Sequence, residues 1–405
     1  MARILQDGFE TEGKTFPTTF TSGNRTSYLD VATFIAESGN NTVKMYSADG
    51  FSAPRGGYGQ KSYSLQIKEG ANSSYQCCML KYDLTKYCND TSELFYRIWV
   101  NPVMTDTTLT TRTTKITPLA ITDREIEKDI DSNAALCGKR EQYCNVIIYM
   151  IRIDEKTYRL SCYCGGEVVY NYEYLSYGEW VKLDVRLKVG DANNGIFQLR
   201  INDKLITTYN GNTGTTNPKY IYSGCVDGYV DTYLKVSFDD IAVNDTTGNV
   251  NNSWCGNGSI VGILPTSNGS KTMFTPGIEG TQNFENVDDL TADKDITYNS
   301  SYALNDVDLF KFTIPENLEI PSTESINAIS VTTSAKFVEQ PTDIGHVVSD
   351  GTNETLIGQR KLSNDYTSQN SIIQEKTDGT KYKVSDIEGL EFGYKTLEST
   401  QAQEE

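Results

Sequence analysis

The acidic residues offer the first candidates for chemistry. Hydrolysis of a glycosidic bond needs two carboxyl groups roughly 5–10 Å apart across that bond. Glu125-Ile126-Glu127 and Asp129-Ile130-Asp131 carry carboxylates at alternate positions, the spacing that places both on one side of a strand. They sit in and beside DREIEKDI (Asp123–Ile130), whose pattern predicts a short helix with Asp123 as N-cap. A charge run of that kind is more simply a solvated face than a catalytic pair. Asp239 and Asp240 are a second candidate, two adjacent hard-oxygen ligands for Ca2+. The competing reading is that the pair marks a β-bulge.

Nitrogen and sulfur chemistry has less material. His346 is the single histidine, flanked by Gly345 and Val347 in what reads as a loop, so a surface position is expected and acid–base relays through imidazole are not. The nine cysteines form no paired C-x-x-C knuckles, which argues against zinc and for free, mostly buried thiols. No phosphate-binding glycine signature follows a strand, and Arg55-Gly56-Gly57 reads as a loop turn. Among the 26 tyrosines, Tyr58, Tyr220, Tyr222 and Tyr229 are candidate stacking platforms for sugar rings, with core packing as the alternative use of each.

The elements that would position these residues are strands. The chain has 405 residues, 38% of them hydrophobic and 11% aromatic, enough for a large core and two or three domains. A net charge of −18 argues against nucleic acid as the main partner, because phosphate binding needs a basic footprint. No apolar run approaches the roughly 20 residues of a membrane span, and MARILQDGFE does not read as a secretory signal, so synthesis and retention in the cytosol are expected.

Period-two alternation is clearest in VKLDVRLKV (Val181–Val189), followed by IFQLRI (Ile196–Ile201), an Asn202-Asp203 turn and Leu205–Tyr209, an antiparallel meander with one apolar and one charged face. ELFYRIWV (Glu93–Val100) and VIIYMIRI (Val146–Ile153) are apolar almost throughout and read as central strands. Gly165-Gly166 joins two strands as a hairpin, whereas Asn101–Cys144 reads as an excursion from the sheet. In KVSFDDIAV (Lys235–Val243) the alternation slips by one residue at Asp239-Asp240, which predicts a bulge in the last strand before a seam of turn formers.

These features, in order, are Gly8-Phe9-Glu10, Gly178-Glu179-Trp180, the Asn202-Asp203 turn, and Asp239-Asp240 leading to Ile241 and Val243. Together they resemble the laminin-G/concanavalin-A-like jelly roll over residues 1–243. That resemblance implies two sheets packed face to face, a fold whose members bind glycans, bind proteins or hydrolyse polysaccharides. From Asp239 to Phe312 the blocks DDIAVNDTTG, VNNSW, ILP, NVDD, DKDITYNSS and DVDLFKF resemble a family of tailed-bacteriophage virion structural proteins. Cys255 stands where a larger apolar residue is expected, and Phe274 where an indole is usual.

The fold expected is therefore all-β: a concanavalin-A-like jelly-roll sandwich (1–243), an extended connector (244–320), a smaller antiparallel β-sandwich (321–397) and a frayed tail (398–405). The resemblance implies a non-enzymatic virion component of the tail or adsorption apparatus, with a head or neck fibre or decoration protein, or a glycan-binding module, as alternatives. It further implies other virion proteins as partners, a host-surface glycan, and symmetric copies of this chain without a heptad run to form a coiled coil. Beyond the candidate Ca2+, no cofactor is expected.

Overall fold

Short runs of alternating polarity bounded by turn residues fold here, in the computed structural model, as an almost purely antiparallel β protein. The structure describes residues 2–7, 23–28, 33–38, 42–49, 61–68, 76–88, 90–104, 115–126, 141–154, 156–225, 234–289 and 292–399. Strands β1 to β6 are Arg3–Asp7, Gly23–Tyr28, Thr33–Ser38, Thr42–Asp49, Lys61–Lys68 and Gln76–Asp83. Strands β7 to β12 are Glu93–Met104, Lys115–Thr122, Val146–Arg152, Thr157–Cys164, Glu167–Tyr170 and Tyr174–Ser176. Strands β13 to β17 are Val181–Lys188, Ile196–Ile201, Lys204–Asn210, Tyr220–Cys225 and Leu234–Asn244.

These seventeen strands form two sheets, one ordered β15-β14-β13-β7-β17-β5-β4 with β1 beside β17, the other β11-β10-β9-β8-β16-β6-β3-β2 with β12 beside β10. Their facing sides share one core, in which Tyr96, Ile98, Leu183, Val185, Phe197 and Phe238 meet Tyr82, Leu119, Ile148, Leu160 and Ile221. The all-β sandwich expected from the sequence is thus the observed fold. The hairpin at Gly165 and Gly166 has both residues at positive φ, 54° and 91°, and the Asn202-Asp203 turn likewise, 48° and 71°, the geometry that matches strand twist.

The slip at Asp239-Asp240 is a bulge in the β17–β7 ladder, with Asp240 at φ 52°. Across it Val236, Phe238, Ile241 and Val243 all stay in the core, which is what the extra residue achieves. In its described residues Asn101–Cys144 is not an excursion: Asn101 lies inside β7, and β8 is a central strand of the second sheet. Residues 123–126 are bends rather than the start of a helix, and Glu127, Asp129 and Asp131 lie outside the described residues.

A second compact unit begins at Val261, so the division falls at 260/261 rather than 243/244. Its strands are β18 to β21, Pro265–Thr272, Thr275–Pro276, Asn299–Ser300 and Val307–Phe312, then β22 to β24, Ser325–Ile326, Ile329–Ala335 and Asp343–Ser349. Strands β25 to β28 follow, Glu354–Lys361, Thr367–Ile373, Tyr382–Lys383 and Glu391–Leu397. A five-stranded sheet runs β18-β21-β28-β24-β25, and the β23–β26 ribbon adds Ile329, Val331 and Ile373 to the cluster around Val348 and Phe392. The stretch read as an extended connector, 244–320, therefore contributes β18 and β21 to this sheet, and its turn-rich residues up to Ile260 belong to the first unit. Turn formers hide such strands because their hydrophobic residues are few and their partners are distant in sequence.

His346 is also misplaced by the loop reading. It lies in β24, 2% exposed, with Nδ1 2.8 Å from Ser371 Oγ and Nε2 3.1 Å from Thr333 Oγ1. Tight backbone contact is required at Gly393 in β28, where an added Cβ would lie 1.8 Å from the Asp308 carbonyl oxygen on the neighbouring strand. Gly393→Ala is accordingly expected to cost the second unit about 3 kcal/mol or more, read as a lowered thermal midpoint in tyrosine near-UV circular dichroism.

Candidate functional site

One candidate contact surface among the described residues is the side of the nine-stranded sheet turned away from the core. Alternation along β10 sends Tyr158, Leu160, Cys162 and Cys164 into the core, and Arg159, Ser161 and Tyr163 to the other side. Register carries that side across the sheet: Val168, Tyr163, Ile147, Ala120, Tyr222 and Lys81 stand opposite one another on β11, β10, β9, β8, β16 and β6. Its middle is covered: Met79, Ala120, Ile126, Ile147, Tyr149, Ile151 and Tyr222 form a second buried cluster. Tyr163 packs against it, its ring edge-to-face with Tyr149 at 5.7 Å.

The open part of this face is its β11–β12 edge. These two short strands both pair with β10 and are separated by Asn171, Tyr172 and Glu173, which leaves Tyr172 77%, Tyr174 60% and Val168 55% exposed. Tyr172 rests edge-to-face on Tyr170 at 5.9 Å. The Tyr170 hydroxyl donates to Glu173 Oε2 at 3.1 Å, and burial together with that carboxylate pushes its pKa up to about 12. The protruding tyrosines were not among the residues singled out from the sequence. Their signal, the segment VVYNYEYLSY, is dense in tyrosine but does not show which rings will lack a neighbouring strand.

Of the four tyrosines proposed from the sequence, Tyr58 and Tyr229 lie outside the described residues. Tyr222 is fully buried and its hydroxyl accepts the Ile126 N–H at 3.2 Å, so it is a packing residue and not a sugar platform. Tyr220 is partly buried, with Lys81 Nζ 4.9 Å from its ring centroid. Lys81 in turn pairs with Glu125 at 2.8 Å, which places that candidate carboxylate in a salt bridge. Both tyrosines lie on β16, a central strand whose neighbours bury their rings.

Asp239 and Asp240 are each 3% exposed and hold the bulge together. Asp239 Oδ1 accepts the Asp240 N–H at 2.8 Å, and Asp240 Oδ1 accepts the Ile260 N–H at 2.6 Å. The fully buried Arg97 donates to the Asp240 carbonyl oxygen at 3.0 Å and to the Gly256 carbonyl oxygen at 3.2 Å. The chain after β17 thus folds back over the outer face of the eight-stranded sheet, where Cys255 packs with Phe95 and Trp254 and Arg200 stands 3.8 Å from the Trp254 ring. The Cys255 thiol approaches the Phe95 and Ala242 carbonyl oxygens at 3.3 and 3.4 Å, a slot sized for cysteine. Among the described residues no three carboxylate, imidazole or thiol groups converge as a metal site.

No known family and no curated protein matches the sequence. Solved structures do. An endo-β-1,4-glucuronan lyase from the fungus Trichoderma reesei is 12% identical, covering 60% of this chain and 95% of its own, with a TM-score of 0.38. An alginate lyase from Aplysia kurodai is 8% identical, covering 49% and 86%, with a TM-score of 0.33. A carbohydrate esterase of the Shiga toxin-encoding bacteriophage phi24B is 14% identical, covering 52% and 89%, with a TM-score of 0.31. At these identities the likeness concerns the sandwich fold alone. The expectation that this chain is not an enzyme is corrected on the same finding: the sandwiches it resembles include lyases and an esterase, so its architecture gives no ground for excluding catalysis.

Proposed function

We propose that the first unit is a glycan-binding β-sandwich whose contact surface is the β11–β12 edge of the nine-stranded sheet. The observation that carries this reading is the exposure of Tyr172 and Tyr174, 77% and 60%, beside Val168 and the partly buried Tyr163. Large rings, Tyr174 on β12 and Tyr172 in the link before it, left open to water suit the flat faces of pyranose rings. Full-length chain is expected to bind a subset of a glycan array, and Tyr174→Ala to weaken that binding about ten-fold in calorimetry. Tyr302→Ala, which removes a ring 66% exposed in the second unit, serves as the control and leaves affinity unchanged. Absence of any glycan ligand, or full affinity in the Tyr174 variant, overturns the proposal. Release of new chain ends from a bound polymer would add turnover to binding.

The blocks between Asp239 and Phe312 support a setting for this module: the particle of a tailed phage, in its tail or adsorption apparatus, in several copies and among other virion proteins. Labelled antibody against this chain should then decorate intact particles, and particles that carry no label refute that setting while leaving the glycan reading untouched.

A further inference from the structure

The chain holds 54 carboxylic side chains against 36 lysines and arginines, so a basic group seldom lacks a partner. Arg159 lacks one. It is half-buried on β10, its Nε is sealed from solvent without a hydrogen-bond acceptor, and it forms no ion pair among the described residues. The carboxylates near it in the chain are engaged elsewhere. Glu173 accepts the Tyr170 hydroxyl, and Asp154 Oδ1 accepts the backbone N–H groups of Lys156 and Thr157. A guanidinium partly withdrawn from water without an acceptor is destabilising, and with Nε sealed it is the two Nη groups that remain to meet an acceptor from outside.

Its placement says what that acceptor accompanies. Arg159 projects to the same side of the sheet as Ile151, its register partner on β9 and a member of the outer cluster. On its other flank its register partner is Tyr174, the exposed ring at the sheet edge. Directly opposed residues on neighbouring strands have Cβ atoms roughly 5 Å apart, about the width over which a sugar ring stacked on Tyr174 would present an exocyclic substituent. Guanidinium donors form a planar fork that matches a carboxylate through two parallel hydrogen bonds.

Building on the glycan reading above, we infer that the ligand of the β11–β12 edge is an acidic glycan, whose carboxylate is held by Arg159 while its ring lies on Tyr174. The net charge of −18 opposes polyanions at long range, so the preference is local and rests on this one side chain. Neutral sugars offer only hydroxyl acceptors, which make weaker bonds to a guanidinium than a charged oxygen does.

The test uses full-length chain and a panel of oligouronates, each paired with its methyl ester, so that each pair differs only in the charge of the carboxyl group. Sulfated and unsulfated dextran form a second pair. The acid form of at least one uronate is expected to bind ten-fold or more tightly than its ester. Arg159→Gln should abolish that ratio by weakening the acid form far more than the ester, while Arg159→Lys should retain part of it. Equal affinity for acid and ester in the wild-type chain, an undiminished ratio in Arg159→Gln, or a preference confined to sulfated dextran overturns the inference and spares the glycan reading. Failure of every glycan to bind overturns both.

Discussion

Lys182→Met is expected to destabilise the first unit by roughly 3–5 kcal/mol, the range for removing one member of a buried ion pair. Lys182 alternates with the core residues Val181 and Leu183, which sends it to the outer face of the eight-stranded sheet, yet it is only 1% exposed. Its Nζ lies 3.1 Å from Asp184 Oδ2 and also meets Asp203 and Asn257. Asp184 is 3% exposed, and burial raises its pKa despite the opposing pull of Lys182 and Arg97. Methionine fills the volume but leaves that carboxylate without its ammonium. The double variant Lys182→Met/Asp184→Leu should recover most of the loss, because neither charge is then stranded. Denaturant unfolding followed by tryptophan fluorescence reads this directly, since Trp99, Trp180 and Trp254 all lie in the first unit. A single variant within 1 kcal/mol of wild type would mean that water or rearrangement compensates Asp184.

Acidification is expected to weaken the second unit through His346. Burial, with a smaller contribution from the Arg360 charge, lowers its pKa from 6.5 to about 4. The folded state therefore holds the ring neutral at pH values where the unfolded chain already binds a proton. Stability from the neutral ring is complete above pH 6.5 and declines as pH falls toward 4, with no further loss from this group below that. A difference of this size amounts to roughly 3 kcal/mol, about 2 of it lost between pH 6.5 and 5, before most carboxylates protonate. Ser371 and Thr333 hold the ring between β26 and β23, so the loss should appear as loosening of that ribbon. Because this unit contains no tryptophan, tyrosine near-UV circular dichroism follows it while tryptophan fluorescence stays constant. His346→Gln should lower stability at pH 7 and flatten the slope above pH 5; an unchanged slope in that variant would assign the titration to other groups.

The two predictions rest on side chains that the sequence invites one to misread, for different reasons. In VKLDVRLK the alternation gives strand and core face without ambiguity, and Val181, Leu183, Val185 and Leu187 are buried as it demands. The opposite face reads as solvated because lysine, aspartate and arginine occupy it. What buries Lys182 and Asp184 is a turn-rich segment about seventy residues later, whose polar composition conceals that it packs at all. His346 reads as a loop residue because glycine precedes it, yet Gly345 lies within β24, where its open side is filled by the Leu356 and Leu397 side chains.

The candidate site divides the same way. Local alternation along TYRLSCYC separates Arg159 and Tyr163 from the apolar set of Tyr158 and Leu160, but it does not say which strands will cover the other side. Only pairing decides: β16 falls in the middle of its sheet and hides Tyr222, whereas β11 and β12 fall at the edge and leave Tyr172 and Tyr174 in water. By itself the sequence determined the all-β class, strands such as β7, β9, β13, β14 and β17, both glycine and Asn-Asp turns and the bulge at Asp239-Asp240, because each is a property of a few consecutive residues and their period. The tertiary structure alone decided which charges are buried, where the second unit begins and which tyrosines face solvent. Those outcomes depend on which strand becomes a neighbour, and neighbours here are brought together from tens to hundreds of residues away.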